Sequence, residues 1–269
     1  MSVLVDLMRY RAQKNTIVLP HWNRVRTDGG VFYNPSNKYL QALADDNQKY
    51  GSSLKLFICP ELTGNKYRVS GVNNYATKCY DASYANSKAN GNDATQTTAA
   101  NQPYTLQAGL PGRNYIGNPN NESCYLTHPT ISFGASNPWT VEVVLNNNVG
   151  NRTGSNSGSI AGNYTGLDIA IDGSNSGKIA FYNGGLNNSS KSYILYAGKI
   201  TIYHFLYNGI NGYDIYVNGI FTEHITASQS SWIFSLLNRG YNFKQASIKT
   251  YEYAIISRAL TASEVATRS

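Results

Sequence analysis

Residues 199–226 read KITIYHFLYNGINGYDIYVNGIFTEHIT, and this stretch decides the fold. Asn218-Gly219 sits between two apolar runs with no residue to spare. Both central positions of a type I′ turn need positive φ, so this pair between such runs is a hairpin signal. A second, longer connection spans 208–212, where Asn-Gly occurs twice. Tyr213, Ile215 and Val217 alternate with Asp214 and Tyr216, the period of a half-buried strand. Residues 200–207 are apolar or aromatic on both faces, which predicts a deeper strand. The stretch is three antiparallel strands in a row.

The same texture extends on both sides. Strands are expected at 139–145, 159–161, 167–171, 178–182 and 193–196, and again at 248–256. Gly or Asn clusters separate most of them. Many short strands with turn signals between them indicate a sandwich or barrel. All eight prolines lie at or before Pro138. The proline-free remainder suits continuous sheet, because proline cannot donate to a ladder. At the end, Thr261 followed three residues later by Glu264 is a capping box on a short helical turn.

Upstream the pattern is mixed. Residues 3–13 have the spacing of a short helix. Residues 17–19, closed by Pro20, read as an edge strand. Asn34-Pro35 is a helix start, followed by Tyr39, Leu40, Leu43 and Ala44 at helical spacing and a stop near Gly51. Residues 54–59 read as a buried strand, and 67–72 and 75–80 as two more. Residues 81–103 are polar and rich in Asn, Ala, Thr and Ser. On composition alone they read as a loop.

Only 14% of the 269 residues are charged, while Tyr (22) and Gly (24) abound. The net charge of +7 is spread without a run of Lys or Arg. Nucleic-acid binding would call for a clustered basic patch. Cys59, Cys79 and Cys124 are odd in number and lack metal spacing, so free thiols in a reducing compartment are expected. Nothing after Met1 resembles a signal peptide, and no stretch approaches the ~20 apolar residues of a membrane span.

Several stretches together resemble one family, the concanavalin A-like, laminin-G-type domains. Residues 138–144 (PWTVEVV) resemble the family's "f-T-v-E-x-w" strand. Tyr203-His204 resembles "W-x-H-v" without its Trp. Residues 213–219 resemble the "l-Y-v-D/N-G" hairpin. Residues 251–264 resemble the closing "v-r-i-Y-n-R-a-L-s-x-x-E" segment, with Arg258, Ala259, Leu260 and Glu264 matching. Asp81-Ala82-Ser83, Gly91 to Gln96 (GNDATQ) and Asn101-Gln102-Pro103 resemble an opening often found in such domains of phage and bacterial surface proteins. The resemblance covers about residues 70–269. It implies a mainly β fold, a two-sheet antiparallel jelly-roll sandwich, and makes the polar stretch part of the domain. The expected division is a small mixed α/β N-terminal segment, 1–66, and a jelly roll, 67–269.

Fold alone does not choose among the family's activities, which include carbohydrate binding, protein adhesion and glycan cleavage. Cleavage needs two carboxylates flanking the scissile bond. The E-x-D-x-x-E motif of the related glucanases is missing, and Glu142 has no acidic neighbour on its strand. Asp168 and Asp172 lie about 13 Å apart along theirs. His128, His204 and His224 have no Cys or acidic companion at ligand spacing. The resemblance puts His204 at a structural position. Many laminin-G-type domains bind calcium. Asp168, Asp172 and Asn163 are the one loose oxygen grouping here, and no cofactor is expected. Sugar binding uses aromatic faces with Asn and Asp hydrogen bonds. Tyr164, Asp168, Asp172, Tyr182 and Asn183 are the candidates, in the loop-rich part. The opposing possibility is that the tyrosines pack in sheets or interfaces.

These observations lead to an expectation of a non-enzymatic bacteriophage virion protein: a head fibre, capsid decoration or tail component, assembled in the host cytoplasm. Its N-terminal segment would join other virion proteins. Its sandwich would face outward in a homo-oligomer and bind surface glycan or a neighbouring protein. The alternatives are a glycan-cleaving enzyme of the same sandwich class and a purely structural capsid-decoration subunit.

Overall fold

The computed structural model describes residues 18–32, 49–83, 91–107, 115–117, 124–147, 158–163, 167–172, 178–183, 186–189, 199–210, 212–226, 231–240 and 248–268. Two α-helices lie wholly among them, α1 (Leu19–Thr27) and α2 (Ala262–Ala266), and residues 49–50 end a further one. Seventeen strands run between: β1 (Leu54–Ile58), β2 (Asn65–Ser70), β3 (Asn73–Cys79), β4 (Ala94–Thr95), β5 (Tyr104–Gln107), β6 (Ile116–Gly117), β7 (Leu126–Gly134), β8 (Trp139–Asn147) and β9 (Gly158–Gly162), then β10 (Leu167–Asp172), β11 (Lys178–Asn183), β12 (Leu186–Ser189), β13 (Ile200–Tyr207), β14 (Tyr213–Val217), β15 (Ile220–Ile225), β16 (Ser231–Gly240) and β17 (Ile248–Ile256).

Every ladder among them is antiparallel. One layer runs β15-β14-β13-β8-β17, with β1 and β6 sharing the far side of β17. The other runs β12-β11-β10-β9-β16-β7-β4-β3, with β2 on the far side of β3. The pairings β3–β5 and β5–β6 close one side, so a single rolled sheet folds over itself as a sandwich.

Alternation along the strands builds the filling. Trp139, Val141, Val143 and Leu145 of β8 face Trp232, Phe234 and Leu237 of β16, and all are buried. At one end Trp139, Tyr207, Tyr213 and Trp232 pack ring on ring, with Tyr207 and Trp232 centroids 4.8 Å apart and Trp139 and Trp232 5.3 Å apart. Rings of this size carry much of the apolar burial of a core. The outer face of the first layer is covered in turn. Leu206, Tyr216, Ala254 and Ile256 pack there with Tyr50, Leu260 and Val265.

The opening stretch forms the three expected strands. Asn218 (φ 48°) and Gly219 (φ 78°) both take the left-handed conformation required of the turn. Other expectations shift. Pro20 does not close a strand. It occupies the first turn of α1, where its missing N–H costs nothing. The strands β7 and β16 were not foreseen. Pro129 interrupts the pattern of β7, and the register with β16 shifts there, between Ile131↔Phe234 and Thr127↔Leu236. A proline is tolerated at such a bulge. The expected helix at 3–13, most of the one begun at Asn34, and the strand at 193–196 lie outside the described residues.

The described part of residues 18–65 is hydrogen-bonded into the sandwich. Strand β1 pairs with β17, and Val31 bridges Asn65.

Candidate functional site

The candidate sugar-binding residues fall on the β9–β12 end of the second layer. Tyr164 lies outside the described residues. Register places the other four in two groups. Asp168 is directly opposed to Tyr182, and Leu167 to Asn183, so Asp168 and Tyr182 share a face at one end of the β10–β11 ladder and Asn183 falls on the other face. Asp172 is opposed to Lys178 at the other end and does not join them. The ladder continues through Asp168↔Gly162 to β9.

A buried charged cluster lies elsewhere, and linear spacing concealed it. Glu142 on β8 is directly opposed to His204 on β13, and Glu142 Oε2 lies 2.7 Å from His204 Nε2. The Arg268 guanidinium grips both oxygens of Glu142 and donates to Glu252 Oε1 at 2.7 Å. Burial alone would raise the Glu142 carboxyl, but Arg268 and His204 hold it below the usual carboxylate range. Glu142 and His204 are 1% and 0% exposed, so no substrate reaches them. The cluster clamps the chain's end onto the sheet. His224 likewise meets Asp214 across β14–β15, at 2.8 Å.

The described parts of the polar stretch, 81–83 and 91–103, form a second knot. The buried Asp81 carboxylate accepts from the backbone N–H groups of Phe57, Ser83 and Asn92 and from the Ser83 hydroxyl. Burial pushes the Asp81 carboxyl up, opposed by these donors. Asp93 accepts the Asp81 N–H, and both its oxygens accept from Nη1 of Arg24, reaching out from α1 at 2.7 and 2.9 Å, while Arg24 Nη2 donates to the Asp81 carbonyl. Gln96 and Gln102 tie the remainder, Gln102 donating to the Gln96 carbonyl at 3.1 Å.

Between α1 and this knot lies a cleft of about 430 Å3 lined by Asn23, Arg24, Thr27, Asp28, Lys78, Tyr80 and Asp93. Lys78 Nζ contacts Asp28 at 2.9 Å and Asp93 at 3.3 Å, and the Tyr80 hydroxyl donates to Asp28. Two carboxylates thus share a cleft. Both are drawn into ion pairs with cations, Asp28 with Lys78 and Lys66 and Asp93 with Arg24 and Lys78. The Lys78 hydrogen bond holds Asp28 low, burial opposes it, and Tyr80 adds to the lowering. Asp93 is committed to Arg24. Among the described residues no three His, Cys, Asp or Glu side chains gather as a metal site. No helix there is long and apolar enough to cross a membrane.

The class defined by these features is a rolled two-layer antiparallel sandwich with several of its charged residues held in internal networks. No protein-family model matches the chain, and no curated protein matches it. Solved structures do. The binding domain of Paraclostridial Mosquitocidal Protein 1 superposes with a TM-score of 0.51 at 14% identity, over 81% of this chain and 52% of that one. The ligand-binding domain of botulinum neurotoxin serotype D, solved with N-acetylneuraminic acid, gives 0.50 at 12% identity, over 82% and 52%. A Trypanosoma rangeli sialidase gives 0.46 at 10% identity, over 84% and 37%. The chain thus spans about half the length of the two toxin domains. At these identities the likeness to them is one of fold: a β-sandwich of the kind found in those binding domains.

Proposed function

We propose that this chain is a non-enzymatic binding module that recognises a surface glycan at the β10–β11 end of its second layer. The observation that carries the reading is register. Asp168 stands opposite Tyr182, so a carboxylate and an aromatic share one register position on adjacent strands, while Asn183, next along β11, falls on the opposite face with Leu167. That combination suits a pyranose ring, which stacks on an aromatic face and takes hydrogen bonds at its rim. A module of similar fold that was solved with a sugar acid is compatible with this use.

The wider setting is a bacteriophage virion, a reading supported by the sequence resemblance of residues 81–103. In it the N-terminal segment joins other virion proteins, and several copies face outward. Display of many copies converts weak single-site binding into avidity. The site takes no cofactor.

The test is a glycan array probed with a multivalent form of the whole chain, beside Tyr182→Ala and Asp168→Asn. Binding to at least one host polysaccharide, lost in both variants, is expected. No bound glycan, or binding that ignores both substitutions, overturns the reading. Deletion of residues 1–17, which spares α1 and β1, is expected to exclude the chain from purified particles. Undiminished incorporation overturns the anchoring role.

A further inference from the structure

A second surface, separate from β10–β11, carries an inference of its own. It lies where β3, β5 and β6 join the two layers. Tyr75 is directly opposed to Tyr104, Tyr104 to Gly117, and Gly117 to Lys249. One register row therefore crosses β3, β5, β6 and β17, three strand spacings or about 14 Å. Tyr75 precedes the core residue Ala76, and Tyr104 precedes the buried Thr105, so both rings turn outward and are half-buried. Their centroids lie 5.0 Å apart, tilted by 41°. Behind them Tyr115 and Tyr251, buried with Val144, form the floor.

Each end of this strip carries a cation. Arg68 lies over the Tyr75 ring at 4.8 Å, and Lys249 over the Tyr115 ring at 4.8 Å. Arg68 is held by uncharged acceptors, Gln102 Oε1 at 3.0 Å and the Ala99 carbonyl at 3.3 Å. Neither cation meets a carboxylate among the described residues. The other cations near the knot behave differently: Arg24, Lys66 and Lys78 all pair with Asp28 or Asp93. Burial, and then the neighbouring Tyr75 hydroxyl, push Tyr104 up to about 12, so its hydroxyl stays a donor at neutral pH.

We propose that the Tyr75–Tyr104 strip with Arg68 and Lys249 is a binding site for an acidic polysaccharide, with sugar carboxylates on the two cations and a ring against the tyrosines. Charge complementarity selects this occupant over a neutral glycan. Two cations at the ends of a short strip suit widely spaced carboxylates. Single-stranded nucleic acid carries a phosphate at every step and calls for a charged groove that tracks it.

The test uses the full chain and oligogalacturonate of defined length, with a neutral galactan oligomer and oligo(dT) as comparisons. Wild type is expected to bind the uronate, with affinity falling as ionic strength rises, and to bind the other two more weakly. Arg68→Gln with Lys249→Gln is expected to weaken uronate binding by about tenfold or more. Tyr104→Ala is expected to weaken it, whereas Lys55→Gln, on the distant β1, leaves it unchanged. Thermal unfolding checks that each variant is folded. Should the Arg68 variant fail to fold, Lys249→Gln alone decides, since among the described residues that ammonium makes only the ring contact. Absence of uronate binding, equal binding by the folded cation variants, or tighter binding of oligo(dT) overturns the proposal. Tyr182→Ala is expected to leave uronate binding intact, which keeps this result distinct from the β10–β11 reading.

Discussion

Glu142 shows what one residue holds in place. Its carboxylate sits beneath the chain's end, between His204 and Arg268, and is effectively out of water. Breaking a buried ion pair from one side leaves an uncompensated charge, at a cost of about 3–5 kcal/mol. Glu142→Gln should therefore lower the thermal midpoint by several degrees. Replacing Glu142 and Arg268 with Leu and Met, and their neighbour Glu252 with Gln, should recover most of the loss, because no charge of the cluster is then left without a partner. Equal losses in both variants would contradict this account. Two other buried residues set a pH dependence. His21 donates from Nε2 to the Thr63 carbonyl at 2.7 Å, and His128 contacts the Pro129 carbonyl from Nδ1 at 2.9 Å. Burial lowers both from 6.5 to about 4. The unfolded chain takes up these protons near pH 6.5, while the folded chain does so only near pH 4. Stability is thus complete above pH 6.5 and drains as pH falls toward 4, by roughly 3 kcal/mol per histidine. Urea unfolding at pH 7 and pH 4.5 should show that slope, and His128→Leu should flatten it. At this scale the sequence was a poor guide. Glu142 and His204 are 62 positions apart, and the contact exists only because β8 and β13 pair in one register.

Elements were more legible where a local rule fixed them. The Asn218-Gly219 turn, the capping box and the bounds of β17 follow from chemistry contained within a few residues. β7 and β16 escaped because Pro129 and an Asn-Arg-Gly ending blur the alternation, and pairing with each other and with β9 overrides local preference. Pro20 misled for a related reason: it ends a strand or begins a helix equally well, and the contacts of α1 decide. Residues 81–103 read as loop by composition, yet Asp81, Asp93, Gln96 and Gln102 do the pairing that backbone does elsewhere. The capping box gives the test at this scale. Thr261 accepts from the Glu264 N–H, while Glu264 takes the Thr261 N–H and both arms of Arg258. Thr261→Ala should cost about 1 kcal/mol. The Arg258 hydrogen bond, ahead of the Thr261 contacts, lowers Glu264 to about 2. The contribution of Glu264 is present above its unfolded pKa of 4.5 and fades as pH falls toward 2. Thr261→Ala and wild type should therefore converge partway in acid, and a gap that widens below pH 4 would refute the pairing. The candidate sugar site was legible as residue types only. Register then joined Asp168 to Tyr182 and set Asp172 apart.

At the scale of the molecule, the rolled sheet constrains how the chain comes apart. β17 is shared: it pairs with β8 on one side and with β1 and β6 on the other. β6 leads through β5 to β3, and β3 through β4 to the second layer. No line through the described strands separates the layers without unzipping a ladder. The N-terminal region is bound by the same logic. β1 contributes Leu56 and Ile58 to the filling between the layers, and Leu54 and Phe57 to the outer cluster. Arg24 fastens α1 to Asp93 at the centre of the polar knot. Removal of residues 1–66 would strip β1 from β17, uncover Ile255 and Ile256, and release Asp93 from Arg24. Truncation at 66 should therefore yield an unstable, aggregation-prone chain, whereas removal of residues 1–17 should leave a folded one. Intact protein should unfold in a single calorimetric transition, with the van't Hoff and calorimetric enthalpies equal. Arg24→Ala should shift that transition downward as a whole rather than split it, because among the described residues α1 belongs to no apolar cluster apart from the sandwich. An early, separate transition in Arg24→Ala, or a soluble and cooperative 67–269 fragment, would mean that the N-terminal region is a unit laid on the sandwich, and the shared-sheet account would fall.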